Sequence, residues 1–166
     1  MDEIERMLAE RACERLCLRF HALVDAGEYE PIVDLFAEDA RWHHRTGPLQ
    51  GHDEIRRYVM DKSPWPVIRH VLTNLLVEVL DERRATGRAY ITVYYGEPVD
   101  GGHPPLDGPV LVVQYDDEFE RTPQGWRFSS RRPQIVFKAP AFANMVHTLA
   151  DERARKSRPA SAEAAY

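Results

Sequence analysis

An aspartate closing one helix, a histidine opening a long strand and two basic doublets are the residues here whose types could do chemistry. Asp25 falls two residues before Gly27, at the C-terminal end of a helical segment. The helix macrodipole disfavours an anion there by about 0.3–1 kcal/mol. Such a carboxylate is either a solvated helix-end residue or one held against an imidazole, orienting the ring and stabilising its cation. His70 opens an alternating strand in which His70, Leu72, Asn74 and Leu76 share one face and Val71, Thr73, Leu75 and Val77 the other. It is either a hydrogen-bonded core histidine or a general base. An unperturbed pKa of about 6.5 suits removal of a proton from carbon beside a carbonyl.

His43 and His44 are neighbours on a short strand, so they point to opposite faces and one of them can enter a pocket. Arg131 and Arg132 alternate in the same way, and the inward one could reach an enolate or a carboxylate with its fixed fork of donors. Asn74 could donate to a substrate oxygen or satisfy backbone groups, and Tyr94 or Tyr95 could supply a phenol donor or only packing. Trp42, Trp65 and Trp126 read as core or pocket wall. His21 lies one turn before Asp25, as a partner to it or as a surface residue. His52, at a helix start, reads as structural, and His103 and His147 carry no readable signal. No histidine spacing resembles a metal site, and no phosphate loop or nucleophile elbow is present, so neither metal nor cofactor is expected.

The elements that must position these side chains follow from hydrophobic period. Ile4, Met7, Leu8, Ala12, Leu16, Phe20, Leu23 and Val24 recur at helical steps and predict a helix from Ile4 to Ala26, ended by Gly27. A short second helix has Pro31 near its first turn. Arg41–His44 reads as a strand, Gly47-Pro48 as a turn, and a third helix opens at Gly51 and stops before Pro64 and Pro66. The period then changes to two over Ile68–Leu80, Ala85–Tyr95, Val110–Arg121 and Trp126–Phe137, which predicts an antiparallel meander. Gly96–Pro109 is a long Gly- and Pro-rich connection, either a lid over the pocket entrance or a mobile hairpin tip. Phe142–Asp151 reads as one more helix. The expectation is a single α+β domain over residues 1–150, with three N-terminal helices packed on a curved sheet, and a disordered tail over 151–166.

Composition bounds the partners. The chain has 166 residues, with 22 Lys and Arg against 27 Asp and Glu, a net charge of −5 that argues against a nucleic-acid binder. Its apolar runs are too short for a membrane span. Cys13 and Cys17, one helical turn apart, are badly placed for a disulfide, which suits a reduced, cytoplasmic protein.

Several stretches together resemble the SnoaL-like branch of the nuclear transport factor 2 superfamily: Phe20–Gly27, Leu35–Trp42, Leu49–Ile55, His70–Asn74, Asp117–Arg121 and Gly125–Phe128. They span residues 4 to 137 in the family's order. The resemblance implies a cone-shaped barrel of strongly curved antiparallel sheet enclosing a pocket. In scytalone dehydratase and hexachlorocyclohexane dehydrochlorinase an Asp–His pair sits where Asp25 and His70 fall, and an arginine of the dehydrochlorinase matches Arg131. The dehydrochlorinase lysine is replaced by Phe20, and a dehydratase tyrosine by Val24. Another dehydratase tyrosine lies near His44, which the resemblance favours as donor to a leaving hydroxyl.

The resulting expectation is a cofactor-free lyase of the dehydratase type, or an isomerase, on a small apolar carbonyl-bearing molecule. His70 is the base, Asp25 its orienter, and His44 and Arg131 assist. Phe20, Trp42, Asn74, Tyr94 and Tyr95 are the expected substrate contacts. The alternative is a non-catalytic small-molecule-binding or cyclase-type accessory protein of the same fold. A homodimer through the outer sheet face is expected, partly by resemblance, since Ile68–Leu80 is apolar on both faces.

Overall fold

The structure is a computed structural model, and it describes residues 1–44, 47–61, 67–140 and 142. The elements are α1 (Glu3–Ala26), α2 (Glu30–Val33), β1 (Phe36–His44), β2 (Gly47–Gln50), α3 (Gly51–Met60), β3 (Val67–Val79), β4 (Arg84–Gly96), β5 (Leu111–Thr122) and β6 (Gly125–Lys138). Trp65, His147, the helix stop at Pro64 and Pro66, the expected helix beyond Phe142 and the tail lie outside the described residues. Among those described, no helix is long and apolar enough to cross a membrane.

Both ends of α1 are set locally. Asp2 and Glu5 form a reciprocal capping box, the Glu5 amide donating to Asp2 at 2.8 Å and the Asp2 amide to Glu5 at 2.9 Å. At the other end the Glu28 amide donates to the Leu23 carbonyl at 2.9 Å and the Gly27 amide to that of Val24 at 3.1 Å. Gly27 takes φ 73°, the left-handed conformation this stop requires. Asp25 is thereby fixed in the last turn.

The buried face of α1 keeps the expected Leu16, Phe20 and Leu23, with Ala12 and Val24 packed against the core, and departs from the expected one only in its first turns. Ala9, Cys13, Leu16, Cys17, Phe20, His21 and Leu23 pack inward, whereas Ile4, Met7 and Leu8 are exposed. Ile4, Met7 and Leu8 fall off the stripe that Ala9, Cys13, Leu16, Cys17, Phe20 and Leu23 form at helical spacing.

The sheet has the order β2-β1-β6-β5-β4-β3. The expected α+β layout of helices on a curved sheet is present, with β3 to β6 as its antiparallel meander; the sheet is not closed, and β1 pairs with β6 in parallel, while every other pair is antiparallel. No hairpin joins β1 to β6, so nothing imposes an antiparallel pairing on them. Gly47-Pro48 belongs to β2, not to a bare turn. Register irregularities in β1/β6, β3/β4 and β5/β6 mark where the strands bend the sheet around α1.

One of these irregularities overturns an expected face. Between Thr73 and Leu76 the β3–β4 register shifts, and Asn74 sits there at φ 51°. The extra residue reverses the alternation. His70 and Leu72 face inward before it, and Leu75, Val77 and Val79 after it, while Asn74 and Leu76 are exposed.

The core falls into two apolar clusters. The larger joins α1, α2, α3 and β1 to the hairpin ends of the sheet, through residues such as Phe36, Trp42, Phe119 and Phe128. The smaller, Ala89, Ile91, Val93 and Val113, lies toward the start of β3. Gly87 makes room between facing side chains, since a Cβ there would come 2.8 Å from the Phe119 ring.

Candidate active site

The start of β3 meets the end of α1, and there Asp25 and His70 are in direct contact. Asp25 Oδ1 lies 2.6 Å from His70 Nδ1, and Asp25 Oδ2 accepts the His70 backbone N–H at 2.9 Å. Among the described residues β3 is an edge strand, so the amides on its open side have no strand partner there, and Asp25 takes one of them. Arg69 donates to the Asp25 carbonyl at 3.4 Å, placing a cation at the helix terminus that offsets the local dipole. A carboxylate only accepts, so the ring proton is assigned to Nδ1, which leaves the lone pair of a neutral ring on Nε2. The side chains are 13% and 18% exposed for His70 and Asp25, enough for a ligand to reach the pair.

Behind the pair lies a buried polar group. His21, one turn before Asp25, is 4% exposed, with its ring 5.1 Å from that of His70 and tilted by 33°. Arg131 is 1% exposed. Its Nη2 lies 3.2 Å from His21 Nε2, and its Nε lies 3.6 Å from Asp117 Oδ1. The guanidinium also sits over Phe20 at 4.0 Å, Tyr115 at 4.3 Å and Phe128 at 4.6 Å. It thus bridges the two apolar clusters, held by aromatic faces as much as by its carboxylate.

Burial, reinforced by the charge of Arg131 and by His70, holds His21 well below the ordinary histidine range. Burial pushes the Asp117 carboxyl up to about 6, with Arg131 opposing, and it pushes the Cys17 thiol up as well. The Cys17 thiol points at Asp117 Oδ2 from 3.7 Å.

His44 faces inward with Trp42, and its Nε2 lies 2.6 Å from the Tyr58 hydroxyl, contributed by α3. His43 is on the other face, 3.5 Å from Arg132. Phe20 and Trp42 are buried in one aromatic cluster with ring centroids 5.4 Å apart, beside Arg131 rather than on an open wall. Tyr95 shares the inner face with Ile68 and Val93, and its hydroxyl donates to Glu97. Tyr94 pairs with Arg69 on the opposite face and Asn74 is exposed at the bulge, so neither stands beside the Asp–His pair as a substrate contact. His52 bonds the Phe36 carbonyl at 2.9 Å, a structural role.

Asp117 and Tyr58 were missed as site residues. Asp117 sits between Asp116 and Glu118 and reads as one of a solvated run, while Tyr58 reads as a helix face residue. The sequence signals for Asp117 are its place on the inner alternation of β5 and its position at the head of the Asp117–Arg121 stretch that carries the resemblance.

Two open clefts of about 940 and 1210 Å³ lie toward the β3–β4 and β5–β6 hairpins. Their linings include Asp81, Glu82, Arg83 and Arg84 in one, and Asp34, Glu38, Asp39 and Asp53 in the other; neither contains Asp25, His70 or Arg131. Among the described residues, no three of His, Cys, Asp and Glu converge as metal ligands.

Residues 5–132 match the model of the SnoaL-like domain. No curated protein matches the chain. Solved structures do. A scytalone dehydratase-like protein of Novosphingobium aromaticivorans is 19% identical with TM-score 0.70, covering 83% of this chain and 91% of its own. The hexachlorocyclohexane dehydrochlorinase LinA-type3 of Novosphingobium barchaimii is 20% identical with TM-score 0.69, over 84% and 94%. An NTF2-like protein with a cystatin-like fold, from Novosphingobium aromaticivorans, is 25% identical with TM-score 0.66, over 82% and 88%.

Proposed function

The chain belongs to the SnoaL-like family, and from that premise we propose that it is a lyase of the dehydratase type acting on a small, largely apolar β-hydroxy carbonyl compound. The observation that carries this reading is the two-point hold of Asp25 on His70. His70 Nε2 removes the proton from the carbon between the carbonyl and the hydroxyl-bearing carbon. The ring becomes an imidazolium, and Asp25 compensates its charge through the 2.6 Å contact. The electron pair of the broken C–H bond moves toward the carbonyl oxygen and then forms the new C=C bond. The hydroxyl departs with a proton and leaves as water.

Arg131 supplies a fixed positive charge for the intermediate oxygen, and the His44–Tyr58 pair supplies the proton for the leaving hydroxyl. The likeness to a scytalone dehydratase-like fold and to LinA supports elimination as the reaction type. None of these steps needs a cofactor. Isomerisation by the same base is the variant in which the proton returns to carbon. The reading is tested by following water loss from β-hydroxy ketones with the wild type and with His70→Ala, which should show none.

A further inference from the structure

We propose that His21 is a second histidine of this site, donating its Nδ1–H to the substrate oxygen on which negative charge develops. The inference rests on the dehydratase reading and adds a residue and a ligand class to it.

The tautomer follows from chemistry. Arg131 has only donors to offer, and its Nη2 lies 3.2 Å from His21 Nε2. Nε2 therefore accepts, and the proton of the neutral ring is on Nδ1. That Nδ1–H is shielded from solvent and has no hydrogen-bond partner among the described residues. Arg131 Nη1 is in the same condition, and Arg131 Nε faces Asp117 without a hydrogen bond. Two residues bonded to one another thus carry buried donors with no acceptor, a destabilising state that a ligand oxygen would relieve.

Position agrees with this role. His21 and Asp25 are four residues apart on α1 and share a face. Asp25 holds His70, whose ring lies 5.1 Å from that of His21. A donor beside the base is what enolate formation needs, because charge leaving the C–H bond collects on the carbonyl oxygen. The ring does not compete for the proton. Arg131 from β6 and His70 from β3 face it, Tyr115 from β5 meets it edge-on at 5.5 Å, and Asp117 and Asp25 are engaged elsewhere. Burial among these groups keeps His21 neutral. The ligand class is one conjugated oxygen, of enolate or phenolate type, on an apolar body.

The test uses the full chain with ring-15N-labelled histidine and 4-nitrophenolate as probe, which offers a conjugated oxyanion and no C–H acidic enough for His70 to remove. The expected spectrum shows His21 as the Nδ1–H tautomer without titration between about pH 5 and pH 8, and the Nδ1–H resonance moves downfield when the probe binds. His21→Leu should bind the probe about 10- to 100-fold more weakly, the loss of one hydrogen bond to a charged acceptor. His21→Gln, whose amide can both accept from Arg131 and donate, should restore most of that. His70→Ala should keep the probe-induced shift, so failure of the base and failure of the donor are read separately. An Nε2–H tautomer, ordinary titration, a bound probe that leaves the resonance unmoved, or no binding of the probe overturns the proposal. If His21→Leu does not fold, the wild-type tautomer and shift decide.

Discussion

Asp25 grips His70 twice, by ring nitrogen at 2.6 Å and by backbone amide at 2.9 Å, so one carboxylate fixes both the imidazole and the strand that carries it. Asp25→Asn keeps one acceptor oxygen and cannot compensate an imidazolium. It should remove most activity, nearly as much as His70→Ala, and the double variant should be little worse than either. Steady-state kinetics on the three variants checks this, and additive losses would mean that the two residues do not act as a unit.

The buried Arg131–Asp117 pair should show itself in stability against pH. The folded-state pKa of Asp117 is raised to about 6, above its unfolded value of about 4, so the folded state holds the proton more tightly. This group favours the folded state least once ionised, and its contribution to stability falls as pH rises from about 4 to about 6. Relative to Asp117→Asn, the wild type should lose up to about 3 kcal/mol across that window. Urea unfolding of both proteins at pH 4.5, 5.5 and 6.5 measures it. A constant difference would contradict the assignment.

Arg131→Met should destabilise by about 3–5 kcal/mol at neutral pH, because it leaves the Asp117 carboxylate buried without its counter-ion. The double variant Arg131→Met, Asp117→Leu should recover most of that loss in the same unfolding assay.

At the β3 bulge, Asn74 holds a left-handed conformation with its side chain exposed. Asn74→Gly should be neutral or slightly stabilising, whereas Asn74→Val should cost about 1–3 kcal/mol of strain. Neither should change activity by more than about twofold. A large loss of activity with Asn74→Gly would return this residue to the site.

How far the sequence alone reaches can be argued from these residues. The four long strands were legible because long runs rich in β-branched and aromatic residues are separated by turn sequences, and Asp25 was placed because Gly27 marks the helix stop. The reversal at Asn74 was not legible, since an asparagine at positive φ looks like any polar strand residue, and it moved Leu75 inward and Leu76 outward. Only the first turns of α1 were misread, because Ile4, Met7 and Leu8 are more hydrophobic than the Ala9, Cys13 and Cys17 that pack inward beside the expected Leu16, Phe20 and Leu23. His21 and Asp117 were hidden for another reason: their partner is Arg131, 110 residues from His21 and on the strand opposite Asp117.

The outer sheet face carries a cross-strand row, Val71, Thr92, Val112 and Phe137, with Val71 and Phe137 exposed. A homodimer through this face is the expected solution state. Light scattering at micromolar concentration should give twice the monomer mass, and Phe137→Asp with Val71→Lys should give the monomer. A wild-type monomer would overturn the dimer.

The central claim is that His70 removes a proton from carbon, and solvent exchange reads that step directly. An enolisable β-hydroxy ketone is incubated in deuterium oxide with the protein, and its α-proton is followed by NMR. The wild type should wash deuterium into the α-position or eliminate water, and His70→Ala should do neither while keeping its fold. Tight binding of such compounds by the wild type with no exchange and no elimination would contradict the enzyme reading and leave a binding protein of the same fold.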